Sequence, residues 1–216
     1  MTFRERTLAA FSGEPMDGVV FQPRNEHWLR VNKYHGTLPE WYRGMTDLDL
    51  YDDLGCSLRT YGYFNPCLKP IDDPSVTYEH DEVESVRITR TITPVGTLES
   101  RRLHTDFAWH YEKYPVVTRD EVRIMKYVFE GRQWTFDMEL FEKNDALIGD
   151  RAAPIMYLPR INVMRLYVDL MGVENTMYAM ADAPEMVEDL IETINRTDDR
   201  VLEVVSNCPI RIINFG

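Results

Sequence analysis

The strongest constraint on the fold lies near the C-terminal end of the chain. Residues 184 to 206 carry Val187, Leu190, Ile191, Ile194, Val201 and Val204 on one stripe, the spacing of a helix with a single apolar face. Asp182-Ala183-Pro184 supplies its start. At 1.5 Å per residue such a helix would run about 34 Å. Ile210-Arg211-Ile212-Ile213-Asn214-Phe215 follows closely and reads as a strand buried on both faces. A strand of that kind needs cover on two sides, which implies a parallel sheet with helices outside it.

The rest of the chain repeats this alternation. Thr2-Phe3-Arg4-Glu5 is a capping box that opens a helix ending at Gly13, and Pro15 confirms the break. Val19-Val20-Phe21 is short, apolar and β-branched, and predicts a buried strand ending at Gln22-Pro23-Arg24-Asn25. Thr37-Leu38-Pro39-Glu40 is a second capping box before Trp41 and Tyr42, and Leu58 to Phe64 is read as a strand. Thr118-Arg119-Asp120-Glu121 is a third box, starting a helix through Val122, Met125, Val128 and Phe129 to Gly131. Trp134, Met138 and Phe141 mark another short helix, Ala146 to Gly149 a compact strand, and Pro159 to Met171 a helix closed by Gly172.

Residues 83 to 103 break the pattern. Val86, Ile88, Ile92, Val95, Leu98 and Leu103 interleave with Arg and Thr around Pro94-Val95-Gly96, the signature of an antiparallel hairpin. Its arginines read as a solvated strand face.

Charge and motifs then exclude several function classes. With 36 acidic and 24 basic residues the net charge is −12, which disfavours nucleic acid and anionic membranes as partners. There is neither GxGxxG nor a P-loop, so a dinucleotide or nucleoside-triphosphate domain is not expected. No apolar run approaches the roughly 18 residues of a membrane span. The charged N-terminus lacks a signal-peptide core, and three scattered cysteines make no disulfide framework, so a cytoplasmic protein with reduced thiols is expected.

Four stretches together resemble the uroporphyrinogen decarboxylase superfamily. Arg4 to Phe11 with Gly13-Glu14-Pro15 looks like its opening helix, and Thr93-Pro94-Val95-Gly96-Thr97-Leu98 like a hairpin of its methyltransferase-like branch. Tyr114-Pro115-Val116-Val117-Thr118 is similar to another recurring segment. So is Leu170 to Asn175 ahead of Pro184-Glu185, ending in Ile213-Asn214-Phe215-Gly216. The resemblance covers nearly the whole chain. It implies a TIM (β/α)8 barrel with its site at the C-terminal ends of the strands. It also implies either methyl transfer between a small methylated substrate and a corrinoid protein, or a carboxy-lyase (decarboxylase) of porphyrin biosynthesis. A non-catalytic binding module on the same fold is a further alternative, and a small complete three-layer α/β domain competes with the barrel.

A full barrel needs roughly 250 residues, and about four barrel strands are expected here. The chain is therefore expected to form one domain, the N-terminal part of a barrel with an inserted hairpin, able to form a homo-oligomer. By the resemblance, zinc would be held by ligands beyond Gly216, and no cofactor is expected within the chain. The decarboxylase arginine motif after strand one is matched by Arg24 alone. The family's catalytic aspartate would fall among residues 60 to 65, where no acid stands.

The candidate substrate-binding residues are Arg24, Asn25, His27, Arg160 and Asn214. Arg24 follows a strand stiffened by Pro23 and either grips a carboxylate ligand bidentately or pairs with Glu26 or another acid. Asn25 and His27 share its loop, and His27 could carry a proton. Arg160 opens a helix, a poor place for a cation unless it is paired or functional. Asn214 lies at the end of the last strand. Asp150 and Arg151 are expected to pair with each other.

Overall fold

The computed structural model describes residues 1–106 and 108–215, so Gly216 of the last resembling segment lies outside the described residues. The protein is a mixed α/β structure. In chain order it contains α1 (Phe3–Ser12), α2 (Asn25–His35), α3 (Asp47–Asp53), α4 (Tyr61–Phe64), β1 (Leu68–Ile71), β2 (Thr77–Val83), β3 (Val86–Thr93), β4 (Gly96–Thr105) and β5 (Ala108–Lys113). Then follow α5 (Arg119–Gly131), β6 (Gln133–Phe136), α6 (Met138–Ile148), β7 (Ile155–Leu158), α7 (Asn162–Arg165), α8 (Val173–Asp182), α9 (Pro184–Ser206) and β8 (Ile212–Phe215).

Two compact units share the chain. The first comprises residues 1–68, 137–157 and 209–214, and the second comprises the described residues of 69–136 and 158–208 together with Phe215. In the second, β2, β3, β4 and β5 form an antiparallel sheet in sequence order. The expected hairpin is its centre, with Thr93 opposite Gly96 at the turn. Thr93 Oγ1 accepts from Val95 N–H and donates to the Gly96 carbonyl, which tightens that turn.

The core of the second unit joins Leu98 of the sheet to Val122, Met125 and Val128 of α5 and to Leu190 and Ile194 of α9. α5 begins with the expected Thr118–Glu121 capping box, and α9 spans the residues that the apolar stripe marks out. Arg165 is only 7% exposed, and both its terminal nitrogens reach the carboxylate of Asp198 on α9 at 2.9 and 3.1 Å. Burial nevertheless holds the Asp198 carboxyl above its ordinary value, because even this bidentate partner does not fully replace water. The helix expected over Pro159 to Met171 is interrupted. Asn162 starts α7 with φ +49°, and Leu166–Leu170 continues as a π-helical turn. Gly172 ends it at φ +79°, where an added Cβ would lie 2.5 Å from the Tyr114 ring.

The first unit departs further from expectation. α1 has its capping box and its left-handed Gly13 stop. Val19 to Phe21, expected as a buried strand, is irregular, and Val19 is 74% exposed. Pro23 has no N–H, so a ladder cannot extend, and the regular link formed is Ser57 N–H to the Phe21 carbonyl. Leu58 to Phe64 turns into α4 rather than a strand. Ala146 to Ile148 is the last turn of α6, which Asp137 caps at Leu140 N–H. A short apolar run has the same composition in a buried strand and in a buried helix end. Thr37 makes no cap. Pro39 precedes a 3-10 turn, Glu40–Tyr42, while an unread capping box, Thr46–Asp49, starts α3.

The strands form separate sheets, β1 with β6, β2 to β5, and β7 with β8, and no barrel is closed among the described residues.

Candidate functional site

The polar chemistry of the first unit gathers beside β7 and β8. Thr60 is fully buried, and its hydroxyl donates to the Ala153 carbonyl at 2.9 Å and accepts from Ile155 N–H at 2.9 Å. Asn65 Oδ1 accepts from Tyr157 N–H at 2.9 Å. The stretch in which the resemblance would put a catalytic acid is thus occupied in clamping the β7 backbone. Between those clamps, α4 presents Tyr61, whose ring stacks on Tyr157 at 3.9 Å between centroids.

Arg59 closes the group from the other side. Its guanidinium lies 5.0 Å from the centre of the Tyr61 ring. It donates to Tyr157 Oη at 3.3 Å and to Glu26 Oε1 at 2.9 Å, and the side chain is only 17% exposed. Tyr51 Oη donates to the other oxygen of Glu26 at 3.3 Å. Asn214, on β8, donates to Tyr61 Oη at 3.4 Å.

The electrostatics of the two phenols diverge. Burial pushes the Tyr61 hydroxyl up, but hydrogen bonds from Asn214, Tyr157 and Arg59, with the Arg59 charge, outweigh it. Tyr61 is left below the usual tyrosine value. Tyr157 moves the other way, raised by its hydrogen bond to Tyr61 and by burial. The two neighbouring hydroxyls are thus shifted in opposite directions. Tyr51 is also raised, by burial and then by the Glu26 charge.

The sequence-derived candidates divide around this cluster. Asn214 belongs to it. Arg24 does not line it: its side chain is 76% exposed and meets Glu26 at 3.6 Å. Arg24 and His27 instead border an open hollow with Trp28 and Val31, and the His27 ring lies 3.2 Å from Arg30. Asn25 donates to Cys56 Sγ at 3.4 Å; burial pushes that thiol up. Arg160 lies in the second unit, before α7 rather than on it, and pairs with Asp169 at 3.1 Å. Arg151 pairs with Asp52 at 2.8 Å rather than with Asp150.

Sequence reasoning does not single out Arg59 or Tyr157, and it names Glu26 only as a partner for Arg24. The signal available was an arginine set among apolar and small residues, Cys56-Ser57-Leu58 before it and Thr60 after. Among the described residues no three His, Cys, Asp or Glu side chains gather as a metal ion would require. The described residues therefore do not by themselves offer a zinc site. Comparison with protein families, with curated proteins and with solved structures returns no match.

Proposed function

We propose that the chain is part of a uroporphyrinogen decarboxylase-type barrel and serves methyl transfer between a small methylated substrate and a corrinoid protein in the cytoplasm. The superfamily resemblance motivates the reading, and the acidified phenol of Tyr61 beside Arg59 carries it. When a methyl group leaves an oxygen, nitrogen or sulfur atom, the bonding pair stays on that heteroatom, which then takes a proton. In this reading Tyr61 gives that proton. Arg59 stabilises the phenolate left behind, and solvent restores the proton afterwards. Asn214 and Tyr157 orient the hydroxyl. The corrinoid partner supplies the nucleophile that accepts the methyl group.

The carboxy-lyase reading keeps one specific support: Glu26 brings an acid to 2.9 Å from Arg59, although the family's own position lacks one.

The test is to mix the protein with a reduced corrinoid and a panel of methylated alcohols, amines and thioethers, and to follow the methylcorrinoid absorption. Transfer is expected with at least one compound. Tyr61→Phe is expected to slow it by about 10²–10⁴-fold, the range of general acid catalysis. No transfer with any compound overturns the reading. Carbon dioxide release from a porphyrinogen would replace it with the carboxy-lyase, and binding without turnover would replace it with the non-catalytic module.

A further inference from the structure

The four-stranded sheet of the second unit treats its two faces differently. On one face, Arg90 meets Asp81 at 2.7 Å and Glu99 at 3.2 Å, and Arg101 meets Glu99 at 3.0 Å. Cations there are matched by acids. The register places Arg87 directly opposite Arg102 on the other face. Like charges in that position oppose strand pairing, and nothing in the hairpin fold requires them.

Both guanidiniums are held rather than loose. Arg87 lies 4.3 Å from the centre of the Trp109 ring, and Arg102 lies 4.2 Å from that of Tyr111. Arg102 also donates to Tyr111 Oη, and among the described residues no carboxylate pairs with it. Arg87 has Glu82 at 3.3 Å, on a half-exposed pair near the end of β2. Arg87, Arg102, Thr89, Ser100, His80 and Tyr111 line one open hollow of about 590 Å³. That volume is within the range of small-molecule sites.

We propose that this hollow binds a small phosphate monoester. Two adjacent guanidinium forks, fixed over aromatic rings, offer more donors than two acceptor oxygens fill, and a dianion competes with Glu82 for Arg87 better than a monoanion does. A phosphate monoester carries close to two charges and three such oxygens, whereas a carboxylate has one charge and two oxygens. The Thr89 and Ser100 hydroxyls supply further donors. A long polyanion is the wrong occupant, because the whole chain carries a net charge of −12 and would repel the parts outside the hollow. The proposal stands apart from the methyl-transfer reading and shares no residue with it.

The experiment is calorimetric titration of the full chain with phenyl phosphate, benzoate and a phosphorylated peptide. Phenyl phosphate is expected to bind at least tenfold more tightly than benzoate and than the peptide. Arg102→Gln should weaken phenyl phosphate binding at least tenfold without lowering the melting temperature, because the side chain is exposed. Arg101→Gln, on the opposite face, should leave it within twofold. Equal affinity for benzoate overturns the proposal, as does unchanged binding in Arg102→Gln or equal loss in Arg101→Gln. Tighter binding of the peptide would make the face a phosphoprotein contact and overturn the small-molecule assignment.

Discussion

The two units use buried polar groups for opposite ends. In the second, Arg165 and Asp198 form a bidentate ion pair, beside a core that runs from Leu98 through α5 to Leu190 and Ile194. That pair has little left to offer a ligand. In the first unit, Leu29 packs with Leu38 and Leu50, and Ala153 with Ile155 and Ile212. Its polar group is built from tyrosines and an arginine whose hydrogen bonds move two neighbouring phenols in opposite directions.

The largest test of this division is Arg165→Ala. Leaving Asp198 buried without its partner should cost about 3–5 kcal/mol, the usual penalty for breaking a buried pair from one side. Chemical denaturation measures it, and a loss under about 1 kcal/mol would mean that the pair is hydrated rather than structural.

A smaller effect is expected from pH. Burial raises the Asp72 carboxyl, but hydrogen bonds from Arg132 and Tyr78 and the Arg132 charge lower it further, so its net value is below the ordinary one. A carboxyl depressed in the folded state adds stability above its unfolded value near 3.8 and loses it as pH falls through the folded value. Asp72→Asn should therefore flatten the drop in stability between neutral pH and pH values below about 4. An unchanged acid limb in the variant's denaturation curves would remove Asp72 from the account.

The smallest effect belongs to Arg24→Ala. With its side chain three-quarters exposed and its ion pair at 3.6 Å, the substitution should change stability by less than about 0.5 kcal/mol in thermal melts. A larger loss would show that the Arg24–Glu26 pair helps to hold Glu26 against Arg59.

Legibility in the sequence follows the same boundary. The capping boxes at Thr2 and Thr118, the hairpin around Pro94 and the long stripe from Pro184 were readable, because each rests on local chemistry or on a period sustained over several turns. Val19 to Phe21 and Ala146 to Ile148 were not. Each is a run too short for its period to separate strand from helix or loop. Leu58 to Phe64 failed for another reason. Thr60 and Asn65 bond to the β7 backbone from residues some ninety positions away, and such long-range clamping leaves no local pattern. Asn214 lies on β8, which the apolar run marks out, but its contact with Tyr61 comes only from the fold. Arg59 and Tyr157 were missed because only the folded chain brings them together.

The acidity of Tyr61 is the most direct test of the functional claim. Carbon-13 labelling of the tyrosine ring, with Tyr61→Phe to assign its resonance, gives that acidity by titration. Tyr61 should titrate below the ordinary tyrosine value of 10.0, and Arg59→Gln should move it upward. A Tyr61 that titrates at or above the ordinary value, or that does not respond to the loss of the Arg59 charge, would contradict the account.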